Sequence, residues 1–124
     1  MTKISMPNNN CELCAFENPK LCVTAVVIRD NKLLVVKRNE EPFKDKWDFV
    51  GGYVAKNETP EDGLRREIKE ELGLDSRLNY VSSFTGTASY REHQYPILSL
   101  LYLAELNGEI KLNEENSAYA WMPL

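Results

Sequence analysis

An α/β (α+β) domain, with a mixed β-sheet packed against helix, is the fold class this sequence predicts, and three observations predict it. Two β-branched runs of strand length, VTAVVI and KLLVVK, flank a short Asp30-Asn31 turn. A single segment carries a four-residue apolar period, with Leu64, Ile68 and Leu72 on one stripe. Alternating segments return after it, at residues 78–84 and 95–106. Strand, strand, helix, strand, strand is the order of a sheet that must cover one face with helix.

In chain order, residues 1–20 are polar and irregular, with Pro7, Pro19 and the run Asn8-Asn9-Asn10, and the folded domain is expected over 21–124. Residues 23–28 and 32–37 read as a hairpin. A charged loop follows over 39–46, then a short strand at 47–50 that delivers the Gly51-Gly52 turn. The helix is expected from about residue 60 to 72. Thr59 suits the N-cap, Pro60 the first helical position and Asp62 the place of a capping-box acid. Gly73 supplies a left-handed stop. Beyond the helix come strands at 78–84 and 95–106, with a loop over 86–96 between them. Asn107-Gly108 signals a hairpin into residues 109–112, and 118–122 is the last strand. No internal repeat or low-complexity linker interrupts this order.

Composition narrows the class. The chain has 124 residues, enough for one domain with a real core, and 43% hydrophobic with 27% charged residues is an ordinary globular balance. A formal net charge of −4 argues against a general nucleic-acid binder, which needs a basic face. Apolar runs such as TAVVI and SLLYLAEL are strand-sized, well short of the roughly 18 residues of a membrane span. MTKISMPNNN contains no apolar signal core, so export is not expected and a cytoplasmic location with reduced cysteines follows.

The helix carries the chemistry. At about 100° per residue, Glu67, Glu70 and Glu71 share a sector of about 100° beside the apolar stripe. Gly63 projects into the same sector one turn earlier, leaving room for something to approach. Like charges at this spacing repel. Alone, KEEL would be a solvated acidic face; beside Gly52, Glu58 and Arg66 it reads as a cluster of hard oxygen ligands suited to Mg2+ or Mn2+. Arg66 can orient one carboxylate through its fork.

From Gly52 to Leu74 the residues spell G-x5-E-x7-R-E-(apolar)-x-E-E-x-G-(apolar), which resembles the signature of the Nudix hydrolases at every defined position. The resemblance covers about residues 20–124 and is looser outside this box, where KLLVVKR, KWDFVGG and AWMPL are also similar. It implies a mixed sheet packed against helices and Mg2+-dependent (or Mn2+-dependent) hydrolysis of a pyrophosphate linkage by water. Position by position, it implies Glu70 and Glu71 as the main metal ligands and Glu67 as ligand or general base. It gives Gly51 or Gly52 as the source of a backbone carbonyl, and Glu58 as the brace from loop to helix. Glu114 and Glu115 stand where several members place an extra ligand, although a solvated acidic loop is an equal reading. Lys37 and Arg38 are candidates to meet phosphates, or surface basics at a strand edge. Trp47 and Tyr53, with Phe43, Phe84, Tyr90 and Tyr95, are candidates to stack on a base, most strand aromatics being expected in the core. His93 is expected in a loop rather than in catalysis.

Three departures stand out. Val50 replaces a common proline, Asn57 replaces the usual glycine, and the chain stops where members usually continue into a C-terminal helix. That helix is expected to be missing, by truncation or in a naturally short form. Cys11-x2-Cys14 with Cys22 gives three zinc ligands against the four of a closed site, so zinc is not expected. The implied partner is a small nucleotide derivative, ADP-ribose or NADH first, with no nucleic acid and no membrane; a homodimer is compatible with it. A nucleoside triphosphate pyrophosphatase is the runner-up, and a nucleotide-sensing module that has lost catalysis is the alternative from another class.

Overall fold

The structure is a computed structural model and describes residues 11–124. The first ten residues of the irregular segment lie outside it. Residues 11–20 hold a single 3-10 turn, Leu13–Ala15, and the first strand already starts at the end of that stretch. Nine further elements follow: β1 (Lys20–Val26), β2 (Ile28–Arg29), β3 (Lys32–Arg38), β4 (Trp47–Asp48), β5 (Val50–Tyr53), α1 (Pro60–Leu72), β6 (Ser76–Tyr90), β7 (His93–Leu106) and β8 (Asn116–Pro123).

One sheet has the order β5-β1-β7-β6 and is mixed, because β1 and β7 run parallel while its other pairs are antiparallel. In the second sheet β3 pairs antiparallel with β2, β4 and β8. Leu64, Ile68 and Leu72 are fully buried, and α1 packs its apolar stripe on β1 and β5. Val23 and Ala25 of β1, Leu34 and Val36 of β3, Val27, Val50, Leu74, Tyr102, Ala104 and Leu106 complete the core. This is the expected fold class, with α1 the single α-helix among the described residues. Among the described residues, no helix is long and apolar enough to cross a membrane.

Four local expectations are corrected. The first hairpin is only two residues deep, Ile28↔Leu33 and Arg29↔Lys32, around a turn with Asp30 at φ 50° and Asn31 at φ 60°. Only β2 forms it; the residues before Val27, expected in the same hairpin, are β1 and lie between β5 and β7, since a run apolar on both faces is better satisfied inside a sheet. The strand expected at 47–50 breaks at Phe49, whose N–H donates to Asp48 Oδ1 at 2.7 Å; β4 joins one sheet and β5 the other. The expected loop over 86–96 is instead the far end of a long hairpin, turned at Arg91 (φ 48°) and Glu92 (φ 67°). Those residues lack the usual Asn-Gly signature of such a turn. Conversely, Asn107-Gly108 opens no hairpin, and residues 109–112 form no strand. The segment crosses the helix end, where Lys111 N–H donates to the Leu72 carbonyl at 2.8 Å, satisfying a group the last helical turn leaves open.

Candidate active site

The helix begins as expected. Thr59 Oγ1 accepts from Asp62 N–H at 3.1 Å, and Gly73 ends it at φ 73°. The capping box is only half used, because Asp62 turns its carboxylate to Arg65 at 3.1 Å. Asn57, before the helix, adopts the left-handed φ of 68° that its short side chain tolerates.

Glu58 and Arg66 clasp the loop to the helix. Arg66 Nε donates to Glu58 Oε2 at 3.1 Å and Nη2 to Oε1 at 2.8 Å, a two-pronged pair. Glu58 Oε1 also accepts from Ala55 N–H at 2.6 Å. It occupies the space that Gly63 leaves: a Cβ there would lie 2.9 Å from Glu58 Oε1. The Arg66 bonds, with the Ala55 amide, pull the Glu58 carboxyl down to about 2. The remaining Arg66 nitrogen, Nη1, reaches Glu67 at 3.0 Å and Glu70 at 3.4 Å, and the guanidinium's own pKa is raised chiefly by Glu58.

Glu67 fits over Gly52, where a Cβ would stand 2.6 Å from Glu67 Oε1. Burial raises its pKa against the lowering effect of Arg66. Glu71 lies deeper, at 4% exposure. Asn116 Nδ2 donates to Glu71 Oε1 at 2.9 Å, while Glu71 Oε2 is buried with no hydrogen-bond partner. Burial pushes the Glu71 carboxyl up to about 7, and nearby Glu67 and Glu115 add to this against the Asn116 amide and the Gly51 backbone. An orphaned buried oxygen beside two further acids is the arrangement a divalent cation would relieve.

These acids open on a cavity of about 900 Å3, in the size range of whole-ligand sites. Of the residues singled out in the sequence, Gly51, Gly52, Glu67, Glu71, Glu115, Arg38 and Tyr53 line it. Arg38 Nε is anchored on the Pro42 carbonyl at 2.7 Å. Glu70, Lys37, Trp47 and Glu114 stand outside the lining. Glu70 is drawn to Arg66, and Lys37 sits on β3 opposite Trp47 and Ala118. The Glu114 carbonyl receives Asn39 Nδ2 at 3.1 Å. Sequence reasoning missed Asn116, Asp48 and Ser99, which also line the cavity. Asn116 could have been sought as the donor a buried carboxylate must find; the other two carry no local signal.

The aromatics depart from expectation too. None of Phe43, Trp47, Tyr53, Phe84, Tyr90 and Tyr95 is in the core. Phe43, Tyr53 and Phe84 line the cavity instead. His93 is not in a loop but opens β7, its ring near that of Tyr95. Cys11 and Cys14 stand together, Cys14 N–H donating to Cys11 Sγ at 3.4 Å, but Cys22 lies on β1 against the cavity. Among the described residues no three His, Cys, Asp or Glu side chains gather into a ready metal cluster. Purified protein is expected to hold well under one equivalent of zinc. Elemental analysis finding stoichiometric zinc, lost in Cys14→Ser, would overturn that expectation.

Comparison with known proteins agrees with this architecture. The NUDIX domain family matches residues 19–124. An ADP-ribose pyrophosphatase of Methanocaldococcus jannaschii is 34% identical over 79% of this chain, which spans only 58% of that protein. The Escherichia coli nucleoside triphosphatase NudI is 32% identical over 81% of this chain and 79% of its own length. The crystal structure of a MutT NUDIX hydrolase from Burkholderia pseudomallei is 27% identical, with a TM-score of 0.74 over 86% of this chain and 84% of that one. With its box running through α1 and Glu67 and Glu71 turned to one cavity, the chain belongs to the Nudix family.

Proposed function

We propose that this chain hydrolyses the pyrophosphate linkage of a nucleoside diphosphate derivative with Mg2+ or Mn2+, ADP-ribose or NADH ahead of nucleoside triphosphates. The observation that carries the reading is the buried, unpartnered Glu71 Oε2 beside Glu67, in a cavity that also holds Arg38. The donor set fits a hard cation. Mg2+ needs only one or two carboxylates, its other positions going to water and phosphate. Glu71 and Glu67 would hold it, with Glu115 and the Gly51-Gly52 backbone beside them. Glu70 joins them if its long 3.4 Å bond to Arg66 gives way. When bound, the ion lowers the pKa of a ligated water and offsets phosphate charge.

The chain's own groups do the rest. Asn116 fixes one Glu71 oxygen and thereby aims the other. Arg38, in the cavity wall, is placed to neutralise a phosphate oxygen. Glu67 is the carboxylate that could take a proton from the attacking water, if it is not itself a ligand. Its half-buried position favours a proton more than an exposed glutamate would. Glu58 acts by holding loop and helix in register through Arg66, which also steadies the Glu67 carboxylate at 3.0 Å.

The M. jannaschii relative supports the diphosphate-derivative substrate, and the E. coli relative supports the runner-up, a triphosphate pyrophosphatase. The box binds what both substrates share and cannot choose between them. A panel of ADP-ribose, NADH, nucleotide sugars, diadenosine polyphosphates and nucleoside triphosphates, each with Mg2+ or Mn2+, decides. AMP release from ADP-ribose or NADH should exceed triphosphate cleavage. Faster release of pyrophosphate from a triphosphate would establish the runner-up instead.

A further inference from the structure

β6 is an outer strand of the mixed sheet, paired with β7 on one side and, among the described residues, with no strand on the other. It is 15 residues long, where a mean strand has about 5–6. Between Arg77 and Arg91, residues 78–90 contain no charge and no proline, in a chain with 27% charged residues. Tyr80, Val81 and Phe84 are each more than half exposed along it. Sheets ordinarily guard such an edge with lysine, proline or an inward charge, because a bare run of strand-forming residues is a template for another chain. A bulge at Val81 blunts one part of β6, and residues 82–90 beyond it keep unbroken register with β7.

The charge pattern chooses the occupant. The chain carries −4, so two copies repel over their surfaces as a whole, and an uncharged stretch is where they can approach closely. Residues 78–90 present no like charge to a second copy of themselves, whereas an acidic or basic peptide would find no partner for its charges there. Paired along its whole length, the uncharged run makes a strip about 44 Å long and about 10 Å deep, or about 900 Å2 over both copies, the size of a weak, concentration-dependent dimer. β8 is also an outer strand without charge, but it has 8 residues and ends at Pro123, which cannot donate to a neighbour.

We propose that a second copy of this chain pairs its own β6 with this one, antiparallel across a twofold axis, joining the two mixed sheets. Phe84 lines the cavity, so the pairing brings the second copy's strand to the rim of each site. The inference stands apart from the hydrolase reading. The test is the mass of the whole chain in solution across micromolar concentrations, by analytical ultracentrifugation. The wild type should pass from one chain to two. Thr85→Lys and Thr85→Asp, at an exposed position outside the cavity lining, should each raise the dissociation constant at least about tenfold, since like charges then meet along the paired strands. Mixed in equal amounts, the two variants should recover the dimer. Ser117→Lys, on β8, should dimerise as the wild type does. Amide exchange over residues 82–90 of the unsubstituted chain should slow as concentration rises, and it decides the matter where a variant fails to fold. A wild type of one chain throughout, folded variants that dimerise normally, no recovery on mixing, loss of the dimer in Ser117→Lys, or exchange indifferent to concentration would overturn the proposal.

Discussion

Glu71→Gln is expected to cut Mg2+-dependent turnover at least about a hundredfold while making the metal-free protein more stable at pH 8. The activity loss follows from deleting an ionised oxygen at the cavity floor, on the scale seen when a key electrostatic group is removed. Glu70→Gln should lose as much only through the exchange of its 3.4 Å bond to Arg66 for the cation, and Glu40→Gln, on the exposed loop, should be neutral. The stability gain has the opposite origin. Burial raises the folded Glu71 carboxyl from 4.5 to about 7, so between those values the folded state binds the extra proton. Stability is therefore full below the ordinary value and falls as pH rises through the folded one. The cost levels off near pH 8 at about 3 kcal/mol or less. Glu67, also raised by burial, contributes in the same direction. The metal-free midpoint of melting should drop from pH 5 to pH 8, and Glu71→Gln should flatten the drop. Added Mg2+ should restore the wild type at pH 8 far more than at pH 5. Melts across pH with EDTA or Mg2+, beside initial rates, read all of this. Near-wild-type hydrolysis in Glu71→Gln would remove the proposed cation site.

Arg66→Ala should be the most damaging single change to the frame of the site. It strips both prongs from Glu58 and the contacts to Glu67, Glu70 and the Tyr53 carbonyl. Glu58 would keep the Ala55 amide alone. An exposed pair is worth about 0–1 kcal/mol and breaking a buried one costs about 3–5. With Arg66 at 36% side-chain exposure and Glu58 at 16%, the loss should exceed that of a fully exposed pair and show as a lowered melting midpoint. Turnover should fall as well, because β5, whose Gly51 and Gly52 line the cavity, and the segment after it lose their tie to α1. Arg66→Lys should recover little, since a point charge cannot match the fork. Glu58 sets a second signature. Its folded carboxyl is lowered, so its contribution exists above pH 4.5 and is lost as pH falls toward about 2. Arg66→Ala should therefore begin acid unfolding at a higher pH. Unchanged melting and unchanged rates in the alanine variant would show that the clasp is ornamental.

The helix was legible in the sequence because its signals are local. Thr59, Pro60, the stripe of Leu64, Ile68 and Leu72, and the left-handed Gly73 all act within a few residues of where they stand. Strand partnership was not. Nothing near β1 says that its parallel neighbour comes from β7, more than seventy residues on, and the Arg91-Glu92 turn takes left-handed angles without the residues that favour them. The site divides the same way. Helical spacing puts Glu67, Glu70 and Glu71 in one sector, and the structure turns Glu67 and Glu71 toward the cavity. The choice among them is made by side chains, since Arg66 draws Glu70 outward while Asn116, from another strand, meets Glu71. Asn116 answers a need created only when Glu71 is buried, so no spacing rule reaches it.

The two moulds on this surface link the fates of distant positions. Gly52 is empty because Glu67 fills its space, and Gly63 because Glu58 does. An alanine at 52 would push the Glu67 carboxylate off its 3.0 Å bond to Arg66, so its harm exists only while position 67 carries a carboxylate of that reach. In Glu67→Ala the same change should be close to harmless to stability, and a double-mutant cycle over 52 and 67 should show strong coupling of compensating sign. Positions 63 and 58 should behave alike. For a drifting sequence this makes order matter: an acid must leave before its glycine can change, and a glycine must return before the acid can.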